Sequence, residues 1–345
     1  MLNCAIVGMG RWGQTLVNSV HGRNESGLRF VAGCTGRPER AAEWAAEKGI
    51  PLLPDYAAVL AHPEVQAVVL ATPHGQHAGQ VIAAARAGKH VFVEKPFTLS
   101  KASAEAAVAA CRAAGVVMAL GHNRRFLPAV AAMKAMLAEG RLGRLLHVEG
   151  QFSGPGALAY KPGMWRADRN ESPLGGMGGM GIHMVDMIIH LAGRFRDVRV
   201  ISKALVSETI DDTTAMLANL ENGATVTFAT LSLAPRFWRV GLFGTRGYAV
   251  LQGHEQLTFC PLEGSPETTS FPVTDIERAE LEAFARAVAG GPAYPLPPEE
   301  AIHGVAVFET MITPRLPAAP APCRPDPPPG RARGAASAPA RPGLH

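Results

Sequence analysis

The chain has 345 residues, 47% hydrophobic and 18% charged, which is too long for one typical domain and sufficient for two with buried cores. No run approaches the ~18 consecutive apolar residues of a membrane-spanning helix. The opening Met-Leu-Asn-Cys-Ala-Ile-Val has no basic stretch of the kind that begins a secretory signal, so a cytoplasmic location is expected. The net charge of +4 resides in the chain's end: taking its five arginines and one aspartate from 33 basic and 29 acidic residues leaves 28 of each. The body therefore gives no basis for nucleic-acid binding. Five scattered cysteines (Cys4, Cys34, Cys111, Cys260, Cys323) with no C-x-x-C pair argue against a disulfide framework and a structural metal site.

In chain order, residues 2–8 form an apolar run ending in glycine, and a glycine turn then feeds a helix. Strands are expected at 30–36, 65–73, 90–96 and 116–122. Helices are expected in PERAAEWAAEKG, in QHAGQVIAAARAGK, closed by Gly88, and over 101–114, closed by Gly115. Apolar strands alternating with helices describe a parallel, doubly wound sheet. From Val148 to Phe271 the pattern becomes alternating, with one hairpin expected across Asn222-Gly223 and another in FWRVGLFG-TRG-YAVLQG. Helices are expected in GIHMVDMIIHLAG, closed by Gly193, and over 275–289 and 298–312. The class is α/β: a Rossmann domain over 1–121 and an α+β domain with an open, mainly antiparallel sheet over 122–312. Residues 313–345, rich in Pro, Ala and Arg, have the composition of a disordered tail, either natural or the product of a shifted reading frame.

The sequence Gly8-Met9-Gly10-Arg11-Trp12-Gly13 matches G-x-G-x-x-G directly after a strand and at a helix start, the context that makes the pattern informative. Gly8 permits the tight turn, Gly10 the approach of a pyrophosphate, and Gly13 close packing of helix on strand. The second strand ends Cys34-Thr35-Gly36-Arg37, with no acid to bind the ribose hydroxyls. Arg37, with Thr35, suits a 2′-phosphate, so NADP is preferred and NAD remains open.

The runs GMGRWG (8–13), ATPHGQH (71–77), AGKHVFVEKPF (87–97), GHNRRFLP (121–128) and GIHMVD (181–186) resemble the Gfo/Idh/MocA oxidoreductase family over residues 1 to about 312. The resemblance implies hydride transfer between NADP(H) or NAD(H) and a hydroxyl or carbonyl of a sugar, polyol or related cyclic alcohol, in a homo-oligomer (dimer or tetramer) built through the open sheet. It implies that Lys95 is catalytic and follows Glu94, which could orient it, that Pro96 follows a cis bond, and that His183 is the second catalytic residue. An ammonium can stabilise a developing alkoxide, and an imidazole exchanges protons near neutrality. Many members carry an aspartate four residues before this histidine; here that position is Gly179. Asp186, three residues after His183, could orient the imidazole, whereas His190 reads as structural. Thr72, Pro73 and His77 are expected at the cofactor. His122, Asn123 and Arg125, together with Trp165 and Arg166 in the loop YKPGMWRADRN, are expected at the substrate. The alternative is a non-catalytic dinucleotide-binding sensor or partner protein of the same fold.

Overall fold

Five apolar runs pair in parallel: β1 (Leu2–Val7), β2 (Leu28–Cys34), β3 (Ala67–Leu70), β4 (His90–Glu94) and β5 (Met118–Gly121), in the order β2-β1-β3-β4-β5. The computed structural model describes residues 1–23 and 25–313, and the expectation for the tail from residue 314 lies outside them. A single bridge from Gly33 to Leu52 adds a vestigial strand beyond β2. Counted in, it gives the 3-2-1-4-5-6 order of a dinucleotide-binding sheet, whose switch point lies between β1 and β3. The helices here are α1 (Arg11–Val20), α2 (Ala42–Glu47), α3 (Tyr56–Ala61), α4 (His77–Arg86) and α5 (Lys101–Ala113). Asp55 and Ser100 cap α3 and α5 through Ala58 N at 2.8 Å and Ser103 N at 3.3 Å.

Most strands end before their apolar runs do. Thr35-Gly36, Ala71-Thr72-Pro73, Lys95-Pro96 and His122 leave the sheet and form loops at its carboxyl edge, where such sheets bind ligands. The helix expected in PERAAEWAAEKG is broken into a 3-10 turn at Pro38–Arg40 followed by α2.

The second layer comprises α6 (Pro128–Ala138), β6 (Leu145–Ser153), α7 (Ile182–Ala192), β7 (Phe195–Lys203), β8 (Thr213–Leu220), β9 (Thr225–Leu231), β10 (Phe237–Gly244), β11 (Gly247–Gln252), β12 (Gln256–Pro261) and β13 (Glu267–Ser270). The strands form one eight-stranded sheet, ordered β13-β12-β11-β10-β6-β9-β8-β7, antiparallel except for the parallel pair β6–β9. Both expected hairpins form, β8–β9 and β10–β11. One face packs on α7 and α6, while Ile201 and Leu217 stand exposed, 66% and 60%, on the other.

Two closing helices, α8 (Ile276–Val288) and α9 (Pro298–Ile312), tie the layers together. Leu281, Phe284, Ala301 and Val305 join the core of the parallel sheet, whereas Ile276, Val307, Phe308 and Met311 join that of the larger sheet. Residues expected to belong to the second domain alone thus complete the first as well. No helix among the described residues is long and apolar enough to cross a membrane.

Candidate active site

The glycine turn follows β1. Gly8 adopts φ +94°, and a Cβ there would lie 2.5 Å from the Ala71 carbonyl oxygen. A Cβ on Gly13 would lie 2.0 Å from the Gly8 oxygen, so backbone packs directly on backbone. At Gly10 a Cβ would meet nothing within 4 Å, which leaves open space above the turn. Gly10 is also the N-cap of α1, with no side-chain cap and no acid in the first turn. The first N–H groups of the helix are therefore available to an anion, and the turn fits a dinucleotide pyrophosphate. Met9 is buried and Arg11 is exposed at its rim. At the end of β2, Thr35 is half-buried, and Arg37 is exposed with no ion pair among the described residues.

His77 locks two loops together. Its Nδ1 lies 2.9 Å from the Pro96 oxygen and its Nε2 3.0 Å from the Thr72 oxygen. Thr72 in turn donates to Gln80 Oε1 at 2.6 Å. The loop containing Thr72 and Pro73 is thereby fixed against the Lys95–Pro96 turn, whose peptide bond is cis.

Lys95 Nζ donates to the Gly179 carbonyl oxygen at 2.9 Å and lies 6.0 Å from the centroid of the Trp12 ring. Burial, reinforced by Arg124 and Arg166 and opposed by Glu94, lowers its pKa to about 8. Gly179 belongs to a π-turn, Met177–Gly181, that runs into α7. A Cβ on Gly179 would meet nothing within 4 Å, so a neutral carbonyl, not a carboxylate, faces the ammonium.

Four residues after Gly179, His183 is 4% exposed, with its Nδ1 3.5 Å from His122 Nδ1 and the two rings edge to face. Burial, together with Arg124, Lys95 and His122, holds His183 well below its ordinary pKa, and the imidazole is neutral. Burial likewise lowers His122, to about 4. His183 Nε2 makes no hydrogen bond among the described residues and is not sealed from solvent.

Several residues expected at the substrate are engaged elsewhere. Asp186, expected from its spacing to orient His183, instead meets Arg125 Nη2 at 2.7 Å and Nε at 2.9 Å, and its Oδ2 lies 3.9 Å from His122 Nδ1. Burial favours the neutral acid, yet His122 and Arg125 hold Asp186 below its ordinary pKa. Arg125 is engaged on every side: its guanidinium also hydrogen-bonds the Pro295 oxygen at 3.1 Å and His190 Nδ1 at 3.2 Å and lies 2.7 Å from Glu300 Oε2 as an ion pair. It ties the end of β5 to α7 and α9. Asn123 likewise turns toward α8 and donates to Glu277 Oε1 at 3.0 Å.

The loop with Trp165 and Arg166 folds onto the β3 loop. The Trp165 ring meets His74 edge-on at 5.1 Å, and the Arg166 guanidinium stacks 4.1 Å above Trp165. His74 Nδ1 lies 2.8 Å from the Glu171 carbonyl oxygen. Two participants were not expected from the sequence. Arg124 lies 4.5 Å over the Phe152 ring, which packs 6.1 Å from the His183 ring. The doubled arginine in GHNRRF is the one signal that marks this position, and nothing marks Phe152.

A parallel dinucleotide-type sheet, an uncapped glycine turn at its switch point, and a lysine between that turn and a second, sheet-based layer define a Rossmann-type oxidoreductase. The family model described as "Oxidoreductase family, NAD-binding Rossmann fold" matches residues 2–122, and that of the GFO/IDH/MocA C-terminal domain matches 130–250. The chain belongs to the Gfo/Idh/MocA family. It is 32% identical over 173 residues to levoglucosan dehydrogenase of Pseudarthrobacter phenanthrenivorans, covering 50% of this chain and 44% of that one. It is 37% identical over 163 residues to scyllo-inositol 2-dehydrogenase (NAD(+)) of Bacillus subtilis, covering 45% and 46%. The matched stretch thus spans less than half of either relative. In three dimensions it superposes on levoglucosan dehydrogenase in complex with NADH and levoglucosan with a TM-score of 0.79 at 22% identity, over 90% of this chain and 96% of that one. A putative NADPH-dependent oxidoreductase from Desulfitobacterium hafniense gives 0.83 at 23%, over 90% and 94%. At these identities the superpositions establish the fold.

Proposed function

We propose that this chain is a dehydrogenase or reductase that transfers a hydride between a nicotinamide dinucleotide and a hydroxyl or carbonyl group of a sugar, polyol or related cyclic alcohol. The observation that carries this reading is the position of Lys95 Nζ, 6.0 Å from Trp12 of the dinucleotide turn and bonded to the segment that delivers His183. The relatives' names, levoglucosan dehydrogenase and scyllo-inositol 2-dehydrogenase, support the substrate class. The bound dinucleotide supplies the hydride or takes it up. Lys95 holds a proton at Nζ, within reach of a substrate oxygen once its bond to Gly179 is exchanged, and stabilises negative charge there. His183, neutral and with Nε2 unengaged, accepts or returns the hydroxyl proton, and His122 holds its ring from the Nδ1 side. Arg124 and Phe152 wall the cleft beside it.

Arg37 supports a preference for NADP(H): it is exposed just past the end of β2, without an ion pair among the described residues, and no acid precedes it there, the first being Glu39 in the following turn. A homo-oligomer, dimer or tetramer, assembled through the uncovered sheet face that carries Ile201 and Leu217, and a cytoplasmic location near the soluble cofactor pool belong to the same reading. A screen of cyclic polyols, anhydrosugars and sugars with either cofactor tests it. Lys95→Ala and His183→Ala are each expected to lose about 100-fold or more in turnover while still binding the cofactor. Wild-type turnover in both variants would remove the mechanism. Tight cofactor binding with no turnover of any such compound would favour the non-catalytic sensor.

A further inference from the structure

Near Lys95, two carboxyl groups are buried without adequate partners among the described residues. Glu280, on α8, is 0% exposed, and neither of its oxygens has a hydrogen-bond partner. Glu94, at the end of β4, is 4% exposed; its Oε2 accepts from Lys95 N at 3.3 Å, its Oε1 has no hydrogen-bond partner among the described residues, and the nearby Trp12 indole favours its ionised form. The packing of α8 on β4 brings them together. Phe92 of β4 and Phe284 of α8 meet edge to face at 6.0 Å. Two residues further along the strand, about 6.6 Å, stands Glu94 on the same face. Four residues back along the helix, about 6 Å, stands Glu280, also on the same face. The aromatic contact is thus followed by two carboxyl groups at the same α8–β4 seam, each within electrostatic range of the other and of Lys95.

Two buried carboxylates cannot both stay ionised in such a place, and an unpartnered buried charge neutralises. We propose that Glu280 and Glu94 hold one proton between them near Lys95, which makes Glu280 a positioning residue that sets the charge the lysine faces. The proposal rests on Lys95 being the proton-handling group of the preceding reading. Its surroundings are consistent with it. Burial raises Glu94 to about 7, against the pull of Lys95, and burial followed by Glu94 and Glu277 raises Glu280 well above a normal carboxyl. The other groups facing Glu280 are Lys95 and Arg124, which favour its ionised form, and Tyr294, whose hydroxyl donates to the Leu120 oxygen instead. A shared proton leaves Glu94 with less than a full charge. The ammonium of Lys95 is then stabilised less, and its ionisation stays near neutrality.

Two measurements test this without any turnover. The first is infrared spectroscopy of the full chain carrying 13C-labelled glutamate. At neutral pH a protonated-carboxyl band that shifts in heavy water is expected, and it should weaken by about half or more in Glu280→Gln, where only the fraction of Glu94 that burial protonates remains. Its absence from the wild type, or its undiminished persistence in the variant, overturns the proposal. The second is the pH dependence of Lys95 acylation by acetic anhydride, read by peptide mass spectrometry. In Glu280→Gln, Glu94 no longer shares a proton and carries more charge as Lys95 titrates, so the Lys95 titration should move alkaline by about half a unit or more. An acid shift would mean that both carboxyls were ionised, and no shift would mean that Glu280 only fills space. Either overturns the proposal. Because neither readout uses a substrate, Lys95→Ala with wild-type turnover would sink the catalytic reading independently.

Discussion

Lys95 is held by a carbonyl at the position where the family resemblance leads one to expect a carboxylate, and this changes the lysine's acid–base character. A neutral acceptor stabilises an ammonium less than an anion does, and burial already lowers Lys95 to about 8. The ammonium form is present below that value, so catalysis that needs it should fall as pH rises through about 8. The empty space at Gly179 allows a direct test. Gly179→Asp should fit without a clash, place an opposite charge near Nζ, and move the alkaline limb of Lys95 upward by about one unit. The Lys95 acylation profile reads this, and an unmoved limb would show that the carboxylate does not reach. The absence of the aspartate was plain in the sequence, but its replacement was not. A backbone carbonyl has no residue-type signature, and the π-turn that presents it arises from a glycine-rich run with no periodic pattern to read.

At the scale of elements, the parallel strands and most of their helices were legible because each strand is apolar throughout and several turns are marked by glycine, whereas α3, only six residues long, was not expected. The edges were less so, because the residues that leave each strand for the carboxyl-edge loops are as apolar or neutral as those that stay. α6, β6, β7, β12 and β13 were not delimited, since a half-exposed sheet mixes polar and apolar residues on one strand. Arg125 and Asp186 show the same limit. Both lie in family-like motifs, yet they are 61 residues apart in the chain and form a buried ion pair joining the turn after β5, α7 and the start of α9. Arg125→Ala leaves Asp186 charged, buried and unpaired, and should destabilise the chain by about 3–5 kcal/mol in denaturant unfolding. A change below about 1 kcal/mol, with catalysis lost, would return Arg125 to the substrate site.

Over the whole molecule, α8 and α9 let the second layer complete the first. Their sequence announces helices but not their destination, since an amphipathic helix does not say which sheet its apolar face covers. Through them Glu280 comes within electrostatic range of Lys95 and Glu300 pairs with Arg125, so residues near the end of the described chain bear on a site whose other parts come from both layers. We propose that this site binds a nicotinamide dinucleotide at the Gly8–Gly13 turn, with Arg37 choosing the phosphorylated form. Titration of the purified chain with NADPH and with NADH, followed by cofactor fluorescence, measures both parts at once. Tighter binding of NADPH is expected, weakened about tenfold or more by Arg37→Ala with little change for NADH. Tighter binding of NADH, unaffected by Arg37→Ala, would contradict the choice of cofactor, and binding of neither would contradict the claim itself.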